Sequence, residues 1–129
     1  MGITKAEALK AVDRERGPVC EASDRIWDQP ETAFQEFHST DVLCELLEKE
    51  GFRVERNLAG IATAFSGTYG SGKPVVGILG EFDALSGLSQ ESESLEKTAL
   101  VDGAPGHGCG HNLLGTGSVA AAIAVKEYL

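Results

Sequence analysis

The chain has 129 residues, one domain's worth or part of a larger one, and its 42% hydrophobic and 24% charged residues exclude a disordered polymer. Its net charge of −9 excludes nucleic acid or an anionic membrane as the main partner, because both attract basic surfaces. No apolar run is long enough to span a bilayer, and Met1 to Glu7 lacks the hydrophobic core of a secretory signal.

Gly2 suggests myristoylation, but that motif needs Ser or Thr at position 6, where this chain has Ala6. Cys20, Cys44 and Cys109 are odd in number and show no disulfide spacing, so a cytoplasmic, reducing location is expected.

Thr4 and Glu7 have the spacing of a capping box and start a helix with Leu9 and Val12 on one face. Gly17-Pro18 should kink or end it. Pro18 then opens a second helical piece through Val19, Ala22, Ile26 and Trp27, closed by Asp28-Gln29-Pro30-Glu31. A third helix is predicted from about Glu36 to Glu50, with Val42, Leu43, Leu46 and Leu47 as its core stripe and Gly51 as its C-terminal cap. His38, near its start, has no ligand neighbours in sequence and reads as a surface or capping residue.

The period then changes. Phe52 to Arg56 alternates like a half-buried strand, Ile61 to Phe65 is a second strand candidate, and Thr68 to Lys73 has turn composition. Val75 to Leu79 is a continuous apolar run, which predicts a buried central strand covered on both faces. Ser86 to Ala104 is predicted as a long surface loop. Leu113 to Leu129 reads as a helix made thin by Gly115, Gly117 and its alanines, so that it can lie close to a sheet. The sum predicts an α/β layered domain, one expected to stop inside its architecture.

Two segments carry chemistry. In Gly106-His107-Gly108-Cys109-Gly110-His111-Asn112, a thiol and an imidazole two residues apart leave an extended backbone on one side, and both are ligands that late transition metals prefer. A glycine-rich turn into a helix, with an inert cysteine and a hydrogen-bonded histidine, accounts for the same residues, since two ligands do not complete a tetrahedral site. In Gly80-Glu81-Phe82-Asp83-Ala84-Leu85, the two carboxylates alternate with Phe82 and fall beyond the carboxyl end of the apolar run, where α/β sheets place their sites. A carboxylate there can orient a histidine ligand. A redox thiol module is disfavoured, because Cys109 has no resolving partner at Cys-x-x-Cys spacing.

These two segments, with Ile26-Trp27-Asp28-Gln29-Pro30-Glu31 and Phe34-Gln35-Glu36, resemble the N-terminal part of a metal-dependent amidohydrolase and peptidase family that includes aminoacylases and glutamate carboxypeptidases. The resemblance covers nearly the whole chain, and Asn112 points to the aminobenzoyl-glutamate branch. It implies the N-terminal portion of a three-layer α/β/α metallopeptidase catalytic domain, residues 1–129 being part of that single domain. The rest of it, and an inserted dimerisation domain, are expected beyond Leu129.

It implies further that Cys109 and His111 are metal ligands, in a site for one or two Zn²⁺ or Mn²⁺ ions. Asp83 would be the acidic residue that orients a ligand or the attacking water. Glu81 stands where aminoacylase-like members have a metal-binding histidine, and His107 is not a ligand. The implied reaction is amide hydrolysis of N-acyl amino acids or dipeptides, with a homodimer or a second hydrolase subunit as partner in the complete enzyme. The family's catalytic glutamate and remaining ligands also lie beyond Leu129, so the chain alone is expected to be inactive. A binding or subunit-like remnant without turnover is the alternative.

Overall fold

A computed structural model describes residues 3–129. The expectation about Gly2 lies outside them. Among the described residues are four α-helices and one two-stranded antiparallel sheet.

Helix α1 (Lys5–Arg14) opens on the expected capping box: the Glu7 backbone N–H donates to the Thr4 hydroxyl, and the Glu7 carboxylate accepts from the Thr4 backbone N–H at 2.7 Å. Helix α2 (Arg16–Asp28) starts before the proline. The break falls at Glu15, and Gly17-Pro18 sit inside the first turn, where a missing N–H costs nothing. Helix α3 (Phe37–Lys49) ends as predicted on Gly51, at φ +81°. The Gly51 and Phe52 N–H groups close back on the carbonyls of Glu48 and Leu47, satisfying acceptors that the helix end leaves free.

Strand β1 (Arg53–Arg56) pairs with β2 (Phe65–Thr68), with Val54 opposite Gly67 and Arg56 opposite Phe65. The second strand is therefore displaced from the predicted Ile61–Phe65. Asn57, Ala59 and Gly60 all take left-handed conformations, so residues 57–64 are consumed by the turn and pairing resumes at Phe65.

Helix α4 (His111–Tyr128) begins two residues earlier than predicted and packs against α1, α2 and α3. The core lies between α2, α3 and α4: Ala22 and Ile26, then Val42, Leu43, Leu46 and Leu47, then Val119 and Ile123, with Phe52 closing one end. Val54, Phe65 and Phe82 are packed against it. At the C-terminal end of α4, the Lys126 ammonium donates to both the carbonyl and the carboxylate of Glu50, each at 2.9 Å. A largely buried cation thus meets the negative end of α3.

The apolar run behaves differently from its prediction. Val75 to Leu79 is no buried strand: Val75 is 83% and Leu79 88% exposed, and no ladder hydrogen bond forms along it. A central strand needs a neighbour on each edge, and among the described residues nothing pairs with this one. The expected α/β mixture is present, but the layering is not formed within these residues.

The close helix packing is met. A Cβ on Gly115 would stand 2.9 Å from the Phe82 Cβ and 3.1 Å from the Glu81 carbonyl, and a Cβ on Gly80 would stand 2.9 Å from the Ser118 side chain. The Ser118 hydroxyl donates to the Leu79 carbonyl at 3.0 Å. Gly117, on another face of α4, has open space.

The two glycines should therefore respond oppositely. Gly115→Val should lower unfolding stability by about 1–3 kcal/mol through overpacking. Gly117→Ala should raise it by up to about 1 kcal/mol through helix propensity. Urea denaturation of both variants checks this; equal effects would contradict the close approach at Gly115.

Candidate functional site

The sequence places Glu81 and Asp83 on the segment that α4 overlies, and the alternation works as expected. Phe82 turns inward against Phe65, ring centroids 5.6 Å apart, and both carboxylates face His111. The His111 Nδ1 lies 2.8 Å from Asp83 Oδ1, and its Nε2 lies 3.4 Å from Glu81 Oε2. Asp83 accepts a hydrogen bond only if Nδ1 carries the proton, so this contact fixes the ring's orientation and leaves Nε2 facing Glu81. Asp83 and His111 are both partly buried, whereas Glu81 is largely exposed.

Cys109 joins the group by another route. The extended backbone expected between Cys109 and His111 is absent: Gly110 is left-handed at φ +84°, its N–H donates to the His107 carbonyl at 2.8 Å, and His111 is already the first residue of α4. The turn brings the Cys109 Sγ to 3.9 Å from the Asp83 carbonyl. Thiol and imidazole thus converge on Asp83, one through its backbone and one through its side chain. Both stand at the N-terminus of α4.

The other thiols are outside this group. Cys20 is exposed, and Cys44 is buried in α3, where burial pushes its thiol up to about 11 and keeps it protonated and inert. His38 contributes only its backbone N–H, to the Glu31 carboxylate.

The segment bearing Asp83 is held from both sides by backbone bridges. Ala84 pairs with Thr32 and its N–H donates to the Glu31 carbonyl at 2.7 Å, while Leu85 and Gly106 exchange two N–H···O bonds of 3.1 Å. Gly106 is obligatory there, since a Cβ would fall 2.1 Å from the Leu88 carbonyl oxygen. The loop 86–104 is itself tied down: Gln90 donates to the Glu96 carbonyl and accepts from the Thr98 N–H, and Ser89 accepts from the Val101 N–H. None of these backbone bridges has a sequence signature, because they join residues far apart in the chain. Glu31 was visible in sequence as the end of the Asp28-Gln29-Pro30-Glu31 helix stop and as part of the resemblance, but nothing there pointed to its contact with α3.

His107 lies at the bottom of the turn, 2% exposed, with no hydrogen-bond partner for either ring nitrogen among the described residues. Burial pushes its imidazole below the ordinary value of 6.5 and the neighbouring His111 adds to that, while the nearby Ile26 backbone and the Asp83 charge oppose the shift in part. Asn112, beside it, donates to the Ser23 hydroxyl at 3.0 Å and fastens α4 to α2.

As a metal platform the group is right in kind and incomplete in number. Cys109 and His111 are suitable donors, and a carboxylate behind the imidazole is the usual partner of a ligating histidine. Yet no set of three or more His, Cys, Asp and Glu side chains is placed to hold a metal ion among the described residues. Nor is any helix there long and apolar enough to cross a membrane.

His107 gives this region a testable pH dependence. Its folded state prefers the neutral ring, so its contribution is present above about 6.5 and is lost as pH falls below that value. His107→Phe removes two unpartnered nitrogens in a similar shape and should keep stability near neutrality while flattening the acid limb. Urea midpoints from pH 8 to pH 5 would show it; parallel curves for both proteins would contradict it.

No family model matches the chain. It is 50% identical over 119 residues to a subunit of the p-aminobenzoyl-glutamate hydrolase of Escherichia coli (strain K12), a match covering 92% of this chain and 25% of that protein. It is 28% identical over 141 residues to Xaa-Arg dipeptidase of Homo sapiens, covering 98% of this chain and 28% of that protein. The chain therefore spans about a quarter of the length of the curated relatives it matches. The resemblance read from the motifs thus extends over nearly the whole chain: it is similar to part of that p-aminobenzoyl-glutamate hydrolase polypeptide and, more distantly, to part of Xaa-Arg dipeptidase.

Proposed function

We propose that this chain supplies the N-terminal portion of a three-layer α/β/α metallohydrolase domain. The complete protein would cleave the amide bond of N-acyl amino acids such as p-aminobenzoyl-glutamate. The observation that carries the reading is the convergence of Cys109 and His111 on Asp83, with the imidazole oriented through Nδ1 at 2.8 Å. Identity of 50% to a protein named as part of a p-aminobenzoyl-glutamate hydrolase supports the substrate class.

In this reading Cys109 and His111 hold a divalent ion, Zn²⁺ or Mn²⁺, with further ligands and any second ion supplied by polypeptide outside these residues. The chemistry such an ion supplies is Lewis-acid activation of an amide carbonyl and of water. Asp83 keeps the Nδ1 proton in place, so that Nε2 is the free donor. The helix end repels a cation by about 0.3–1 kcal/mol. The Glu81 carboxylate, 3.4 Å from Nε2, offsets that repulsion. The expected partners are a small N-acyl amino acid or dipeptide and a second copy or second hydrolase subunit. The expected location is the cytoplasm, in keeping with its free cysteines.

A second reading, a subunit-like remnant that binds without turnover, is favoured by the lack of a three-donor cluster among the described residues. A chimera separates the two. The chain is exchanged for the matching quarter of the Escherichia coli protein and assayed on p-aminobenzoyl-glutamate. The hydrolase reading expects turnover that Cys109→Ala abolishes and Asp83→Asn lowers by about 10–100-fold. A folded, inactive chimera would favour the remnant.

The 129-residue chain alone should not hydrolyse p-aminobenzoyl-glutamate with any added divalent metal, and it should bind Zn²⁺ far more weakly than the roughly 10–16 kcal/mol of a closed four-ligand site. That binding should strengthen as pH rises through the range where imidazole and thiol lose protons. A Co²⁺ complex should show a thiolate charge-transfer band; a band unchanged in Cys109→Ser would remove Cys109 from the ligand set.

A further inference from the structure

Glu31 is used twice. Its carboxylate accepts from the backbone N–H groups of His38 and Ser39 at 2.9 and 2.8 Å, and from the Ser39 hydroxyl at 2.8 Å. Helix α3 has no cap from its own flanking residue, Glu36, so this carboxylate from five residues further back satisfies its first turn. Three donors on one carboxylate, together with the positive end of the helix, fix it in place. At the same residue, the backbone carbonyl accepts the Ala84 N–H at 2.7 Å, and Thr32 bridges Ala84 in parallel.

Ala84 follows Asp83 directly and is fully buried. The backbone that aims Asp83 at His111 is therefore hung between two supports: Gly106 through Leu85 on one side, and Glu31 on the other. Asp83 Oδ1 must meet Nδ1 at hydrogen-bond distance, and a shift of about 1 Å would end that contact. Helix α3 is part of the core, and Glu31 touches both it, through its side chain, and the Asp83 segment, through its backbone carbonyl.

We propose that Glu31 is a positioning residue for the Asp83–His111 pair, holding the Asp83 backbone in register by anchoring to the first turn of α3. The inference rests on the functional reading only in taking that pair as the site. Its consequence is electronic and local: with Glu31 in place the His111 ring carries its proton on Nδ1, and without it the ring is released to either tautomer.

Nitrogen NMR of the histidine rings, at alkaline pH where imidazole is neutral, reads this directly in the 129-residue chain. The unmodified chain should show a single Nδ1-protonated signature for His111, assigned by its absence in His111→Gln. Glu31→Ala should lose that signature while circular dichroism shows the folded chain. Glu31→Gln keeps the shape and one acceptor but turns an amide against N–H donors, so it should lose the signature in part. It decides the matter if Glu31→Ala does not fold.

Val54→Ala, in β1 away from the clamp, serves as a generally destabilised control and should keep the signature. A signature unchanged in whichever folded Glu31 variant is measured, or lost equally in Val54→Ala, would overturn the positioning role and leave Glu31 as a helix cap. An unmodified chain without the Nδ1 signature would overturn the Asp83–His111 pair itself, and the inference with it.

Discussion

The close approach of α4 to residues 79–83 is the constraint on which the rest depends. Gly115 offers no side chain to Phe82 and the Glu81 carbonyl, so the helix lies against the segment at backbone distance. One turn towards its N-terminus, the same face carries His111 to Asp83; about one turn in the other direction, Ser118 reaches the Leu79 carbonyl over Gly80. Any side chain at position 115 would lever the helix away and open the His111–Asp83 contact along with the packing. Core and site share one helix face, so stability and function are not separable along α4.

Around that contact the chain builds a polar group from pieces far apart in sequence. Asp83 comes from a segment without regular structure and is aligned by bridges to Thr32 and Gly106. Cys109 and His111 come from a turn that Gly110 makes possible by adopting a left-handed conformation. The buried, neutral-preferring His107 lies in the same turn, close enough to His111 to feel its charge. Order in this loop region is set by hydrogen bonds more than by apolar packing, which suits a site that must present polar atoms in fixed directions.

The exposed Val75–Leu79 run shows the limit of composition as a guide to burial. Its residues have strong strand preference, yet strand preference is a fit to neighbours rather than a property of the backbone alone. With neither edge paired among the described residues, the run is irregular, apolar and open to solvent.

The sequence by itself determined the features that depend on local chemistry. The Thr4–Glu7 capping box, the stripe of Val42, Leu43, Leu46 and Leu47 and the Gly51 helix stop are written in residues within a turn or two of each other, and each formed as read; the thin face of α4 formed at Gly115 only, against an irregular segment in place of a sheet. The two chemical segments were likewise visible as patterns, and the alternation of Glu81, Phe82 and Asp83 gave the side-chain directions. Tertiary structure alone decided the rest. It moved β2 to Phe65–Thr68, because three left-handed residues lengthened the turn, and it left Val75–Leu79 unpaired for want of a neighbour. It also replaced the expected side-by-side thiol and imidazole by convergence on Asp83, and gave Glu31 a structural task. The convergence on Asp83 and the Glu31–Ala84 bridge join residues 26 to 53 positions apart, and the turn and the unpaired run depend on backbone conformation and on neighbours; a local pattern of residue types holds no record of either.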